Sequence, residues 1–157
     1  MNCCVLRSLK PGGWVEFQEL SAEPLCDDGT MPEDDPVKRV YELLEQGFAE
    51  FGMNTKLAPD MEPMLRGAGF ENIHCIVRKV PIGIWAKDKT LRLIGLYQKL
   101  AVHDVLPVFA GRPYEALGMS QVESQVTLAL ARNGMEDTSV HRYFNYYFWY
   151  AQKPVGD

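Results

Sequence analysis

Hydrophobic residues recur at helical spacing in the segment that follows residue 35. Asp35 can cap a helix N-terminus, and Pro36 suits the first helical position. The apolar residues that then fall on one face are Val37, Val40, Tyr41, Leu44, Phe48 and Phe51. With Gly52 as a C-terminal stop, the pattern predicts an amphipathic helix between Pro36 and Gly52.

Three segments have the patterns of β-strands. Trp14–Leu20 carries apolar or aromatic residues on both faces, which predicts a strand covered on both sides. Residues 70–84 alternate, which predicts a strand with one partly polar face. Tyr143–Tyr150 has aromatic side chains on both faces, which is typical of a central strand.

Three further helices are expected. Asp60 can cap a short helix over residues 61–66, ended by Gly67 or Gly69. Residues 88–109 are apolar nearly all round, which predicts a helix that is largely buried or lies over a cavity. Pro107 should kink or end it.

The last of these helices has the clearest start signal. Ser120 and Glu123 match a capping box, which predicts a helix from there to about Asn133. The run from Pro24 to Pro36 is polar and rich in turn residues, so it is expected to be a loop.

Composition excludes several function classes. A chain of 157 residues predicts a single domain over 1–157. Its net charge of −5 argues against nucleic acid, since phosphate binding needs clustered Lys and Arg. No apolar run approaches the ~20 residues that cross a membrane, and no signal peptide is visible, so a cytoplasmic protein is expected. The four cysteines lack metal-ligand spacing, which predicts reduced thiols and no metal site.

Several segments together resemble one family. Leu9–Glu19, with its Leu-Lys-Pro-Gly-Gly-Trp opening, resembles the entry to the fifth strand of a class I methyltransferase. The other matching pieces are Gly67–Ile73 (GAGFENI), Trp85 followed by a long helix, Leu117–Glu123 (LGMSQVE) and His141–Pro154 (HRYFNYYFWYAQKP). In order and spacing, nearly the whole chain is similar to the C-terminal half of the fungal LaeA-like (UMTA) methyltransferases.

The resemblance implies a fold class. We expect an α/β protein with a truncated class I methyltransferase-like (Rossmann-like) sheet, whose strands are equivalent to the fifth to the seventh. Covering helices and lid helices over about 88–135 would complete it. Family members hold S-adenosylmethionine with a Gly-rich loop after the first strand and an acidic residue after the second. Nothing in this sequence matches those features, since Gly12 and Gly13 precede the fifth strand, so we expect no cofactor.

The resemblance also predicts an exposed sheet edge. Without the fourth strand, Trp14–Leu20 would present unpaired backbone groups, which favour association. We therefore expect a homodimer that covers strand 14–20.

Candidate catalytic residues lie where the strands end. In open α/β sheets, ligands bind outside the carboxyl ends of the parallel strands. The catalytic candidates are Glu19, His103, His141 and Arg142. Histidine can act as a general acid or base, a carboxylate can orient it, and arginine can stabilise negative charge. The alternatives are structural: Glu19 paired with Arg142, His141 bonded to backbone at a strand start, and His103 as a buried core residue.

A second group of residues is expected to bind substrate: Glu16, Trp85, Tyr97, Asp104 and Tyr114. Trp85 and Tyr114 would line an aromatic pocket, while Tyr97 and Asp104 would project from the lid helix. Glu16 would be an inward carboxylate or lie in the dimer seam. The expected ligand is a hydrophobic small molecule, held in one reactive conformation.

Three functions are compatible with these features. The leading hypothesis is a methyltransferase-like protein repurposed as a cofactor-independent enzyme. It would catalyse a cyclisation, pericyclic or isomerisation step on a hydrophobic intermediate of fungal secondary metabolism. The second is an S-adenosylmethionine-dependent methyltransferase fragment or subunit whose nucleotide-binding half is supplied separately. The third is a non-catalytic interaction module.

Overall fold

A computed structural model describes residues 2–156, with all their side chains except those of Asn2, Cys3 and Phe109. The helices are α1 Asn2–Ser8, α2 Pro36–Ala49, α3 Met61–Gly67, α4 Lys89–Ala116 and α5 Gln121–Glu136, with a 3-10 turn at Ala58–Asp60. The strands are β1 Trp14–Leu20, β2 Glu71–Pro81 and β3 Tyr143–Gln152. They form one sheet in the order β1-β3-β2, with β1 antiparallel to β3. The mixed α/β fold expected from the sequence is confirmed, with β3 central.

The chain divides into two compact units. The first contains the N-terminal residues to Ser21, Lys56–Arg78 and the residues from Tyr146 onward. The second contains Ala22–Thr55 and Lys79–Asn145. The single domain expected over 1–157 stays a prediction.

In the first unit, one face of the sheet carries the core. Its buried members are Met61, Leu65, Phe70, Trp149 and Ala151. Val15 and Phe17 of β1 pack against this cluster, whereas Trp14 on the opposite face is 50% exposed. The expectation that β1 is covered on both sides is therefore wrong, because within the described chain only one of its faces meets the core.

The second unit is built around α2, which contacts both α4 and α5. The predicted start of α2 is confirmed, since Asp35 caps it and Pro36 is its first residue. Gly47 allows a close approach to α4, because a Cβ atom there would lie 2.5 Å from the carbonyl oxygen of Pro113. The capping box of α5 is also confirmed: the Glu123 amide donates to Ser120 Oγ at 3.2 Å, and the Ser120 amide donates to Glu123 Oε2 at 2.8 Å.

Helix α4 differs from its prediction in two ways. It does not end at Pro107 but continues to Ala116, and it is not largely buried. Its buried stripe, spaced four residues apart, is Val102, Leu106, Ala110 and Tyr114, while apolar side chains such as Leu93 and Leu100 are about half exposed. An internal proline costs a helix about 3 kcal/mol. Packing of this stripe offsets that cost, so the helix continues past Pro107.

Candidate active site

An aspartate–histidine pair lies beside the start of β3, within the second unit. His141 precedes β3, and Asp28 belongs to the loop before α2. Leu25 and Tyr143 join these segments through two backbone hydrogen bonds of 2.9 Å. Asp28 Oδ1 accepts hydrogen bonds from the amide (3.2 Å) and the hydroxyl (2.8 Å) of Thr30, which fixes the carboxylate in an Asx turn.

Three contacts position His141. Nδ1 of its imidazole lies 2.5 Å from Asp28 Oδ2, and the backbone amide of the residue donates to Thr30 Oγ1 at 2.9 Å. The indole of Trp85 stacks on the imidazole with ring centroids 4.8 Å apart and an interplanar angle of 28°. Trp85 is itself anchored, since its Nε1 donates to the carbonyl oxygen of Arg142 at 2.9 Å. The ring of His141 therefore has one defined orientation.

Electrostatics favour an ionised Asp28. Its hydrogen bond with His141, followed by those from the Cys26 thiol and the Thr30 hydroxyl, holds the pKa of the Asp28 carboxyl well below its ordinary value. A carboxylate at Nδ1 favours the tautomer with the proton on Nδ1. Within residues 2–156, Nε2 of His141 has no hydrogen-bond partner, so its lone pair is available to a substrate.

A second carboxylate, Asp27, binds different partners. It forms an ion pair with Lys79 and accepts a hydrogen bond from the Tyr143 hydroxyl at 2.6 Å. The Lys79 ammonium lowers the pKa of Asp27, with the Tyr143 hydroxyl adding to the effect, and the pKa of Lys79 is raised in return. Lys79 also lies 4.7 Å from the centroid of the Tyr143 ring. These contacts hold the loop against the strands.

Arg142, a catalytic candidate, is occupied by structural partners. Its Nε lies 3.0 Å and 2.9 Å from the two carboxylate oxygens of Asp35, and its Nη1 donates to the Gly134 carbonyl oxygen at 2.9 Å. Arg142 is only 3% exposed. The sequence predicts Asp35 as a helix cap alone, whereas the structure also makes it the counter-ion of this buried cation.

Four other candidates lie on α4. His103 is about half exposed, with Nδ1 3.8 Å from Asp104 Oδ1, so the alternative of a buried core histidine is wrong. Tyr97 is exposed. Tyr114 is fully buried and its hydroxyl donates to the Val40 carbonyl oxygen at 3.3 Å, so it belongs to the core rather than to a pocket wall.

The two glutamate candidates belong to the first unit. Glu16 is exposed, pairs with Tyr150 in the β1–β3 register, and accepts a hydrogen bond from Gln18 at 2.6 Å. Glu19 is exposed and pairs with Tyr147. A catalytic role for Glu19 and a substrate role for Glu16 stay predictions.

Sequence reasoning missed Asp28, the residue that orients His141. The signal was present, because Asp-Gly-Thr at 28–30 is typical of an Asx turn with a fixed carboxylate. What no local pattern could supply was its partner, 113 residues away.

The described residues contain neither a candidate metal site nor a helix suited to span a membrane. Among residues 2–156, no group of three or more His, Cys, Asp and Glu side chains is placed to hold a metal ion. In the same range, no helix combines the length and apolarity needed to cross a bilayer.

The glycine pair that opens the resemblance does not form a nucleotide cradle. A Cβ atom on Gly12 would lie 3.2 Å from the Val155 side chain, and one on Gly13 would lie 2.9 Å from the Lys10 carbonyl oxygen. The chain's own atoms thus fill the space beside both glycines. With its φ of +73°, Gly12 forms the turn into β1.

The chain is similar to curated fungal methyltransferases. The fold is that of a class I methyltransferase-like protein, although no family model matches the chain. The chain is a homologue of the fungal LaeA-like methyltransferases, as its sequence predicts. It is 32% identical over 151 residues to "Probable methyltransferase tdiE" of Emericella nidulans, covering 94% of this chain and 47% of that protein.

Two further relatives extend the comparison. "Secondary metabolism regulator LAE1" of Cochliobolus heterostrophus is 28% identical over 93% of this chain and 48% of its own length. "Protein-methionine methyltransferase laeA" of Emericella nidulans is 25% identical over 96% of this chain and 41% of its own length. The chain spans about half the length of the curated relatives it matches.

These relatives correct the expectation about the cofactor. The expectation of no cofactor is wrong, because the chain is homologous to proteins named as methyltransferases, and the class I resemblance that they confirm implies S-adenosylmethionine. The Gly12–Gly13 turn does not fit this group, so we derive no step through it from the described residues.

Proposed function

We propose that this chain forms the acceptor-binding part of an S-adenosylmethionine-dependent methyltransferase of fungal secondary metabolism. In this proposal His141 takes up the proton that the methyl acceptor loses. The homology to methyltransferases supports the reaction class, and the Asp28–His141 pair, with Nδ1 and Oδ2 2.5 Å apart, is the observation that carries the proposed role.

The proposed chemistry is general base catalysis. The Asp28 carboxylate holds the proton of His141 on Nδ1, which leaves the Nε2 lone pair to accept a proton from a hydroxyl or amine of the acceptor. The acceptor atom retains the electron pair of the broken bond and becomes the nucleophile. As the proton arrives, Asp28 stabilises the imidazolium that forms.

The proposed acceptor is a hydrophobic small molecule. Trp85 covers one face of His141 and offers an aromatic wall next to Nε2. Such a wall favours an apolar ligand body beside the reacting hydroxyl or amine.

A methyl-transfer assay tests the proposal. The chain is incubated with S-adenosylmethionine and a panel of hydroxyl-bearing hydrophobic compounds. Parallel reactions add a separately expressed segment of the tdiE relative that spans the part this chain does not match. We expect methylated product, with kcat reduced roughly 100- to 10,000-fold in His141→Asn. His74 stacks on Tyr150 in the first unit, whereas the Asp28–His141 pair belongs to the second. His74→Asn is therefore the matched control and should retain the rate.

A protein methionine is the second candidate acceptor, favoured by the name of the laeA relative. A thioether has no proton to lose, so its methylation needs no general base. If methionine is the acceptor, His141→Asn retains the rate at every pH. If a hydroxyl or amine is the acceptor, the same variant is slowed.

The other two functions differ from this proposal in what they require. The cofactor-independent cyclisation or isomerisation depended on the absence of a cofactor and is not retained. A non-catalytic interaction module predicts that alanine at Glu19, His103 and His141 leaves the biological activity intact.

We also propose a homodimer through β1. The strand lies at the edge of the described sheet, and Trp14 on it is half exposed. Sedimentation should then give a dimer that Gln18→Pro converts to monomer, because Gln18 is exposed and its backbone amide faces the open edge of β1 rather than β3. A stable monomer of the unmodified chain at micromolar concentration would contradict this proposal.

A further inference from the structure

An open cavity lies in the second unit between the end of α2 and the second half of α4, and it shares no residue with the Asp28–His141 pair. Its volume is about 350 Å³. This is at the lower end of the roughly 300 to 1,000 Å³ typical of small-molecule pockets. The lining residues are Phe48, Phe51, Met53, Val108, Arg112 and Pro113.

The turn after α2 forms one wall of this cavity. The amides of Phe51 and Met53 both donate to the Phe48 carbonyl oxygen, at 3.0 and 3.1 Å. Gly52 makes the reversal possible with a φ of +70°. The turn thereby presents the side chains of Phe51 and Met53, each 50% exposed, on one short stretch of chain. Large apolar groups held at the surface in this way favour an apolar ligand.

Arg112 is the one charged residue of the lining. Its side chain has no carboxylate partner among the residues that the structure describes. Two other exposed arginines are paired on their own helices, Arg66 with Glu62 and Arg39 with Glu42. A guanidinium beside aromatic and aliphatic walls is suited to a planar carboxylate, which it can bind through two parallel hydrogen bonds.

We propose that this cavity binds a small molecule with an apolar body and a single carboxylate, which pairs with Arg112. The apolar walls receive the body, and the guanidinium receives the carboxylate. A single guanidinium matches the charge of one carboxylate, whereas a phosphate dianion calls for further donors that the lining residues do not offer. A cationic ligand would be repelled by Arg112, and a neutral one would leave it unused.

Titration of the full chain with decanoate, below its micelle concentration, tests this site. The ε-methyl resonance of Met53 reports binding, and that of Met64, exposed on α3 in the first unit, is the internal control. We expect decanoate to shift the Met53 signal, decan-1-ol to bind at least about tenfold more weakly, and decyltrimethylammonium weaker still.

Two variants make the test specific. Arg112→Gln should weaken decanoate binding at least about tenfold and leave decan-1-ol unchanged. Its matched control, Arg66→Gln, should leave both unchanged. Val108→Asp changes a side chain that is 75% exposed, so folding is preserved, and its added charge should also weaken decanoate binding. Equal binding of decanoate and decan-1-ol, or unchanged decanoate binding in Arg112→Gln, would overturn the proposal.

Discussion

The guanidinium of Arg142 lies against the carboxylate of Asp35, with Nε 3.0 Å from Oδ1 and 2.9 Å from Oδ2, and both side chains are buried. The same Oδ1 atom accepts the amides of Val37 and Lys38 at the start of α2. One carboxylate thus joins the beginning of a helix to the beginning of β3. Since His141 is the neighbour of Arg142 in the chain, this pair also helps to position the candidate base.

Replacing Asp35 should therefore destabilise the protein strongly. Asp35→Asn keeps a good helix cap but leaves the Arg142 cation buried without a counter-ion, which costs about 3–5 kcal/mol in the free energy of unfolding. Asp88→Asn is the control, because Asp88 caps α4 through two 2.9 Å hydrogen bonds and is exposed. Urea denaturation should show little change for Asp88→Asn. Equal losses in the two variants would contradict a special role for the buried pair.

The Asp28–His141 pair predicts a dependence of stability on acid. The pKa of Asp28 is lowered from its ordinary value of 3.8, chiefly by the hydrogen bond with His141. The stabilisation is thus fully present above pH 3.8 and is lost as the pH falls below that value toward the folded-state pKa.

Chemical denaturation at a series of pH values checks this dependence. The advantage of the unmodified protein over Asp28→Asn should shrink as the pH falls below about 5. Asp34→Asn, an exposed aspartate in the same loop, is the control and should show no such advantage. A difference between the unmodified protein and Asp28→Asn that is the same at pH 3 and pH 7 would refute the linkage.

Gly95 and Gly111 of α4 should respond to alanine in opposite directions. A Cβ atom at Gly95 would lie 2.0 Å from the Gly83 carbonyl oxygen, so Gly95→Ala forces this packing apart and should cost about 1–3 kcal/mol. At Gly111 a Cβ atom meets nothing within 4 Å, so Gly111→Ala should stabilise the helix by about 0.5–1 kcal/mol. Urea denaturation measures both. A stabilising Gly95→Ala would show that α4 does not pack closely on this segment.

The hydroxyl of Tyr114 should lose its proton at a higher pH than an ordinary tyrosine. Burial raises the pKa of its hydroxyl to about 12 from an ordinary value of 10.0. Because the folded-state pKa is raised, the resulting stabilisation is present below pH 10 and is lost between pH 10 and about 12. Ultraviolet titration of Tyr114→Phe should lack one tyrosinate signal near the upper limit of that range.

The same variant tests the hydrogen bond to Val40. Tyr114→Phe should lower the free energy of unfolding by about 1 kcal/mol at neutral pH, because the Val40 carbonyl oxygen loses its donor. Tyr97→Phe, exposed on the same helix, should have the unmodified stability. If both variants are equally stable, the 3.3 Å contact contributes nothing measurable.

Part of the candidate site was predictable and part was not. His141 and Trp85 could be proposed because the resemblance places them near strand ends. Asp28 could not, because its partner His141 is 113 residues away in the chain, and the pairing of Leu25 with Tyr143 joins their segments. Tyr114 was expected to line a pocket, but it is buried in the core. The sequence pattern of an aromatic residue is the same in a pocket wall and in a core, so only its neighbours in the fold distinguish the two.

Local sequence signals are sufficient to predict several of the elements. Asp35 and Pro36 start α2, Ser120 and Glu123 start α5, and the doubly aromatic run in β3 marks a central strand. These signals act over a few residues, through hydrogen bonds and side-chain spacing that neighbours in the chain complete.

The remaining features depend on contacts between segments that are distant in the chain. Packing lets α4 continue beyond Pro107. Asp28 pairs with His141 at a separation of 113 residues, and Asp35 pairs with Arg142 at a separation of 107 residues. Each of these outcomes depends on packing or on charges supplied by distant segments. The free energy of a buried polar contact depends on which partner the fold places beside the group. No local sequence pattern identifies that partner.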